Sequence, residues 1–283
     1  MKDITPAVID LKISKTERAY AIGDIHGCFD ELSALDRKIK ASLRRVGRNR
    51  FKIISVGDLC DRGPDARGVM DYFSRGIEAG THHLILGNHE MFFLGAFAGL
   101  RPDLVKKSGA RQSWFHDVLI RVFPQLLTNT DSWRKNGGSI VFKSYGADID
   151  DINTWDRIPA DHIRMLFQSP LVIRTPKAVL SHALLQPGDV ELFAARDKGV
   201  VADDQKLAEA VIRCIWSREL PSARVDSSRR HVSGHTPLDA VERDTKLCCI
   251  QIDTGAVYGR SLTAVNLDGF RTLSVASKFS CRS

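Results

Sequence analysis

Five apolar runs in this chain end on residue types that can ligate metals. RAYAIGDIH ends on Asp24 and His26, FKIISVGD on Asp58, HHLILGNHE on Asn88, His89 and Glu90, KAVLSH on His182, and RHVSGH on His235. A buried strand gains nothing from a carboxylate or imidazole at its tip unless a cation or partner compensates the lost hydration. In an open α/β sheet, sites form beyond the carboxyl ends of the strands, so these five tips are expected to share one crevice. Asp24 and His26 stand two residues apart, a spacing that in extended chain sends both side chains to one side. Glycines at 23, 27, 57, 87 and 234 let the backbone turn beside them.

Helical patterns separate the runs, which argues for an α/β fold. RAYAIGD (18 to 24) reads as a strand, Asp30 as the cap of the following helix, Gly47 as its stop, and FKIISVG (51 to 57) as the next strand. Together they make a β-α-β unit. Pro64 suits the first turn of a further helix whose apolar side carries Val69, Met70, Phe73 and Ile77. At 283 residues, 43% hydrophobic, the chain is expected to form one domain spanning 1 to 283.

No apolar run approaches the roughly 20 residues that cross a bilayer, and MKDITPAVID lacks the basic-then-apolar order of a secretion signal. A cytoplasmic protein with no membrane partner is expected. The six cysteines contain no CxxC pair, and adjacent Cys248 and Cys249 are poorly placed to bridge, so they read as free thiols of a reducing compartment.

The net charge of +7 would suit an anionic partner, and basic residues are densest in DRKIKASLRRVGRNR, 36 to 50. Yet Leu32, Leu35, Ile39, Leu43 and Val46 recur at helical spacing, which makes the cations the solvated face of an amphipathic helix. Without stacking aromatics or a groove-reading motif there, a nucleic-acid partner is not expected. Mixed Asp, Asn and His ligands suit Mn, Fe or Zn better than Ca, and no cysteine cluster points to a structural zinc.

The ordered set GDIHG (23 to 27), GDLCDRG (57 to 63), GNHE (87 to 90), strand-borne His182 and GHT (234 to 236) resembles the calcineurin-like metallophosphoesterases. The intact DRG, the tail IDTGAVYGRSLTAV (252 to 265) and WRKNGGSIVFKSYG (133 to 146) resemble the bacterial and phage branch of the serine/threonine phosphoprotein phosphatases. The resemblance implies an α/β/β/α sandwich, two packed mixed sheets flanked by helices, with a cap of helices and loops over about 91 to 177. In that stretch MFFLGAFAGL reads as a buried helix, and Trp114, Trp133 and Trp155 mark the cap.

The same resemblance implies two divalent cations, with manganese ranked ahead of Fe, Zn and Mg. Asp24, His26 and Asp58 would hold one; Asp58, Asn88, His182 and His235 would hold the other. Direct attack of a metal-bound hydroxide on phosphorus follows from that arrangement. Arg62 and Arg218 take the role of phosphate-binding residues, His89 that of general acid, and Asp61 that of the carboxylate holding its imidazole. Glu90 is assigned a supporting role and Tyr258 an aromatic position near the site.

Related hydrolases of symmetrical dinucleoside tetraphosphates usually replace the aspartate of DRG. Its retention as Asp61 therefore favours phosphoserine and phosphothreonine in proteins over dinucleoside polyphosphates or other small phosphoesters. A silent phosphate-binding regulatory protein is the third reading, against which Asp61, Arg62 and His89 all speak. Two departures stand out: Leu184 replaces the glycine of the usual His-Ala-Gly, and Cys60, which reads as a packed thiol, sits where a larger side chain is common. The eukaryotic branch's C-terminal signature is missing, so its regulatory subunits are not expected as partners.

Overall fold

In the computed structural model, residues 5–47, 50–200 and 203–279 are described, which leaves Arg48 and Asn49 of the basic run and residues 1–4 outside. The first part of the chain forms β1 (Val8–Asp10), β2 (Glu17–Ile22), α1 (Phe29–Arg45), β3 (Arg50–Ser55), α2 (Ala66–Glu78), β4 (His82–Leu84) and α3 (Asn88–Leu100). A helical stretch follows, with α4 (Pro102–Ser108), α5 (Trp114–Val122), α6 (Asp131–Lys135), α7 (Gly138–Ser144) and α8 (Ala160–Phe167). The last part holds β5 (Val172–Arg174), β6 (Ala178–Ser181), α9 (Asp189–Asp197), α10 (Asp204–Trp216), β7 (Arg230–Ser233), β8 (Glu242–Asp244), β9 (Cys249–Gln251), β10 (Ser261–Asn266) and β11 (Thr272–Ala276).

The strands build two mixed sheets, one in the order β11-β10-β2-β3-β4 and one in the order β1-β5-β6-β7-β9-β8. Side chains on a strand alternate between faces, and the two faces here are buried against different things. Ala19, Ala21 and Ile54 of the first sheet meet Ala178, Leu180, Val232 and Ile250 of the second in one apolar layer. Tyr20, Ile22 and Ile53 face the other way, into the core shared with the helices. This is the two-sheet sandwich flanked by helices that the motifs implied. β2, β3 and β4 run parallel, as do β6, β7 and β9, so each sheet contains a parallel trio.

Several local expectations need correction. α1 starts at Phe29 with Cys28 in the capping position, so Asp30 lies inside the first turn. There its charge still opposes the helix dipole favourably. Asp65 caps α2, accepting from Gly68 N at 2.7 Å, and Pro64 stands outside the helix. α1 buries Leu32, Leu35, Ile39 and Leu43, but it ends at Arg45, which leaves Val46 57% exposed. Ile77 is 37% exposed, off the buried face of α2. Within the stretch 91 to 177, residues Val172–Arg174 belong to the six-stranded sheet as β5.

The helical stretch has its own aromatic core. Phe93 stacks on Phe97 at 4.2 Å, while Trp133 and Trp155 pack against Phe142 at 5.0 and 4.8 Å. Trp114 instead donates its indole N–H to Asp197 Oδ1 at 2.8 Å, tying α5 to α9. Leu184 is buried, and neither it nor Ala183 needs a left-handed backbone, so the missing glycine causes no strain. No described helix is long and apolar enough to cross a membrane. Five described cysteines are free thiols.

Candidate metal centre and active site

The tips of both parallel trios meet at one place. Gly234 N donates to His182 O at 2.8 Å, His182 Nδ1 lies 2.9 Å from Val56 O, and His235 N lies 3.1 Å from each oxygen of Asp24. The backbone there is contorted. Among described non-glycine residues, His26, Asp58, Asp61, Arg62 and His235 all have φ between 46° and 70°, the left-handed region that costs side-chain-bearing residues about 1–3 kcal/mol. The extended spacing expected of Asp24 and His26 is therefore absent: the chain turns at His26 instead. Gly57, at φ +110°, is also needed for space, because a Cβ would come within 2.9 Å of the Gly87 backbone.

Backbone carbonyls dictate the histidine tautomers. Val56 O can only accept, so His182 carries its proton on Nδ1 and presents a bare lone pair at Nε2. That Nε2 faces Asn88 Oδ1 at 2.9 Å, His235 Nδ1 at 3.2 Å and Asp58 Oδ1 at 3.5 Å. Asn88 Oδ1 also lies 3.1 Å from His235 Nδ1. His26 Nδ1 is likewise committed to Cys60 O at 2.8 Å, which leaves Nε2 unprotonated, 3.5 Å from Asp58 Oδ2 and accepting from Arg62 Nη1 at 2.8 Å.

Acceptor atoms thus converge around His182 Nε2, and a cation is what such a donor set fits. Two overlapping groups have ligand atoms within 4.8 Å of one another: His26, Asp58 and His89, and Asp24, Asp58 and His182. Asp58 belongs to both. Burial drives His182 and His235 down to about 3 and His26 well below its ordinary value, so these rings stay in the neutral, metal-ligating form. Asp24 is pushed well above the carboxylate range, first by burial and then by Asp253 and Asp58. A bound cation would compensate that crowding of negative charge.

His89 and Asp61 form a pair beside this cluster, with Nδ1 and Oδ2 only 2.5 Å apart. Trp133 of α6 donates its indole N–H to the other oxygen, Oδ1, at 2.8 Å. Burial pushes Asp61 well up and His89 down to about 4, although Asp58 pulls the histidine upward and Trp133 pulls the carboxyl down. At 2.5 Å a proton must lie between the two atoms. His89 Nε2 lies 3.9 Å from Asp58 Oδ2, at the edge of the cation pocket. Glu90 serves the backbone: its carboxylate accepts from Asp58 N, Leu59 N and Gly87 N at 2.8, 2.8 and 2.9 Å. Burial and Asp58 push it up to about 8 against those three donors.

Cys60 is fully buried, and burial raises its thiol well above the ordinary value, which makes it an unreactive packing group. A cavity of ≈ 130 Å³ opens onto His26, Asp58, Asn88, His89 and His235, with Arg62, Arg218 and Tyr258 also on its walls. Arg62 lies 5.8 Å from the Tyr258 ring centre. The sequence reading missed Asp253, which is buried on the same wall, accepts from Gly255 N at 3.0 Å and is pushed up to about 6 by burial. A signal was present, since CCIQID is another apolar run that ends on a carboxylate.

Several known proteins resemble this chain over all or part of its length. Bis(5'-nucleosyl)-tetraphosphatase PrpE [asymmetrical] of Bacillus subtilis (strain 168) is 23% identical over 268 residues, 90% of this chain and 93% of its own length. Bis(5'-nucleosyl)-tetraphosphatase, symmetrical, of Escherichia coli (strain K12 / DH10B) is 38% identical over 87 residues, 31% of this chain and 29% of its own. Among solved structures, a putative diadenosine tetraphosphatase superposes with a TM-score of 0.56 at 23% identity, covering 96% of this chain and 98% of its own. A Saccharomyces cerevisiae protein serine/threonine phosphatase superposes with a TM-score of 0.57 at 13% identity, covering 99% and 85%. The family model described as calcineurin-like phosphoesterase matches residues 18–239, and the chain belongs to that family.

Proposed function

We propose that this protein is a two-cation hydrolase of phosphoric esters and anhydrides whose substrate class is the dinucleoside polyphosphates. The observation that carries the hydrolase reading is the convergence of His182 Nε2 on Asn88 Oδ1 and the Asp58 carboxylate, the latter two lining a cavity together with Arg62, Arg218 and His89. Full-length similarity to proteins named as nucleosyl tetraphosphatases supports the substrate class.

Asp24, His26 and Asp58 would hold one cation, and Asp58, Asn88, His182 and His235 the other. When bound, such a pair supplies Lewis acidity and a water of lowered pKa. Arg62 and Arg218 bind the non-bridging phosphoryl oxygens and stabilise their charge as water adds to phosphorus. The bond from phosphorus to the departing oxygen breaks, and His89, whose protonated form an anionic substrate beside Asp58 and Asp61 would favour, supplies that oxygen with a proton while Asp61 fixes the imidazole. Neutral Asn88 contributes a ligand oxygen without further repelling an anionic substrate.

A second reading, hydrolysis of phosphoserine or phosphothreonine, is favoured by the His89–Asp61 bond of 2.5 Å, because an alkoxide needs a proton more than a departing nucleotide does. Its weight is smaller than that of the full-length relatives. The metal-loaded protein should turn over diadenosine tetraphosphate with a kcat/KM at least about 10-fold above that for phosphopeptides. The opposite order would establish the phosphoprotein reading. Failure of Mn, Fe, Zn and Mg alike to restore any hydrolysis would leave only a silent phosphate-binding protein.

A further inference from the structure

The catalytic cavity is small. At ≈ 130 Å³ it accommodates phosphoryl groups and water, whereas pockets that enclose a nucleotide-sized ligand run to several hundred Å³. The rest of any nucleotide must therefore lie on the rim. Trp216, the last residue of α10, lines the cavity and is 36% exposed, unlike Trp133 and Trp155, which are fully buried. Its ring is held from behind by Phe123 at 5.6 Å and by Phe92 at 6.3 Å, and Phe92 in turn packs on the His89 ring at 5.8 Å. Two residues onward, Arg218 reaches the same cavity.

An exposed indole braced on two aromatic rings, beside two arginines at a phosphoryl-sized hole, matches the composition of a nucleotide: anionic chain inward, flat base outward. We propose that Trp216 is the stacking surface for a nucleobase of the bound nucleotide, with Arg218 spanning to its phosphates. The proposal rests on the nucleotide reading above and assigns the residue that distinguishes a nucleotide from a bare polyphosphate. Base stacking on one aromatic side chain is sequence-tolerant, so it accommodates nucleotides of any base.

The test is calorimetric titration of the manganese-loaded protein with two ligands that cannot be cleaved: adenosine 5'-(α,β-methylene)diphosphate and methylenediphosphonate, which lacks the nucleoside. The ratio of the two Kd values is taken within each protein, so a general loss of metal or fold divides out. The wild type should favour the nucleoside ligand by about 10-fold or more, W216A should bring the ratio close to parity, and W216F should keep most of the preference. A wild-type ratio near one, or a preference that survives in W216A, overturns the proposal. Turnover of diadenosine tetraphosphate is read separately. A wild type that prefers the nucleoside through Trp216 yet cleaves only phosphopeptides would sink the substrate assignment while leaving the stacking site in place.

Discussion

The indole N–H of Trp133 donates to Asp61 Oδ1 at 2.8 Å, so a residue of the helical stretch holds the carboxylate that holds His89. Neighbouring contacts add to the clamp, since Arg62 N donates to Gly137 O at 3.4 Å, and a Cβ on Gly138 would strike the Trp133 ring. Trp133→Phe keeps most of the packing and removes the donor. It should lower kcat about 10-fold on phosphoserine peptide but distinctly less on p-nitrophenyl phosphate, whose leaving group needs no proton. Equal losses on the two substrates would reduce Trp133 to a packing role.

His89→Asn and Asp61→Asn test the dyad itself. Each should cost about 10²- to 10⁴-fold in kcat, with KM little changed, because the lost interaction is made in the transition state. The double variant should be scarcely worse than either single one, since the two side chains act as a unit. Steady-state kinetics on one alkyl phosphate decides it.

Cation removal should abolish turnover and lower Tm, because ligands that bind only the folded state stabilise it by mass action. Chelation followed by return of Mn, Fe, Zn or Mg, monitored by differential scanning calorimetry, gives the comparison. In His182→Ala one bare lone pair of the cluster is gone, so the Tm gain on metal return should shrink and metal affinity should fall at least about 10-fold. An undiminished gain would remove His182 from the ligand set.

Glu90→Gln replaces a carboxylate that accepts three buried backbone N–H groups by an amide with one acceptor oxygen. The loss should be about 2–4 kcal/mol, since buried donors left without partners carry most of their desolvation cost. The same change loosens the Asp58 backbone, so metal affinity should drop together with the unfolding midpoint in urea. A stability loss with unchanged metal affinity would separate the two roles.

Acid should destabilise the protein through histidines that are not candidate ligands. His116 is buried, its Nδ1 accepts from Ser113 N at 3.0 Å, its Nε2 has no partner, and burial alone depresses it to about 3. A folded pKa below the ordinary 6.5 means the unfolded chain takes up the proton first. The associated stability is present above about 6.5 and is lost as pH falls from there toward 3. By pH 4.5 this one site should cost roughly 2–3 kcal/mol, and His116→Gln should flatten the fall in Tm between pH 6.5 and 4.5.

The ligand tips were readable because each lies at the end of an apolar run, where burial and chemistry conflict within a few residues of each other. What depends on distant partners was not. The Trp133–Asp61 bond joins residues 72 apart, and nothing local to either string announces it. Asp253 follows the apolar run CCIQID, but it lies inside the tail string IDTGAVYGRSLTAV, which reads as one motif and not as a strand tip. The turn at His26 escaped for another reason: spacing arguments assume extended chain, and the site bends the backbone into the left-handed region at residues that also carry chemistry. Sheet order escaped too, because strands separated by long helical stretches leave no local trace of which neighbour they join.

The candidate ligands are divided between the two sheets. Asp24, His26, Asp58 and Asn88 follow strands of one, whereas His182 and His235 follow strands of the other. The first sheet alone carries the three ligands assigned to one cation, whereas the other cation also needs His182 and His235, so its shell is completed only when the two layers dock and it would then act as a rivet between them. Starving the finished enzyme of metal should then open the seam between the sheets sooner than it frays either layer, which amide exchange along β3 and β7 would register.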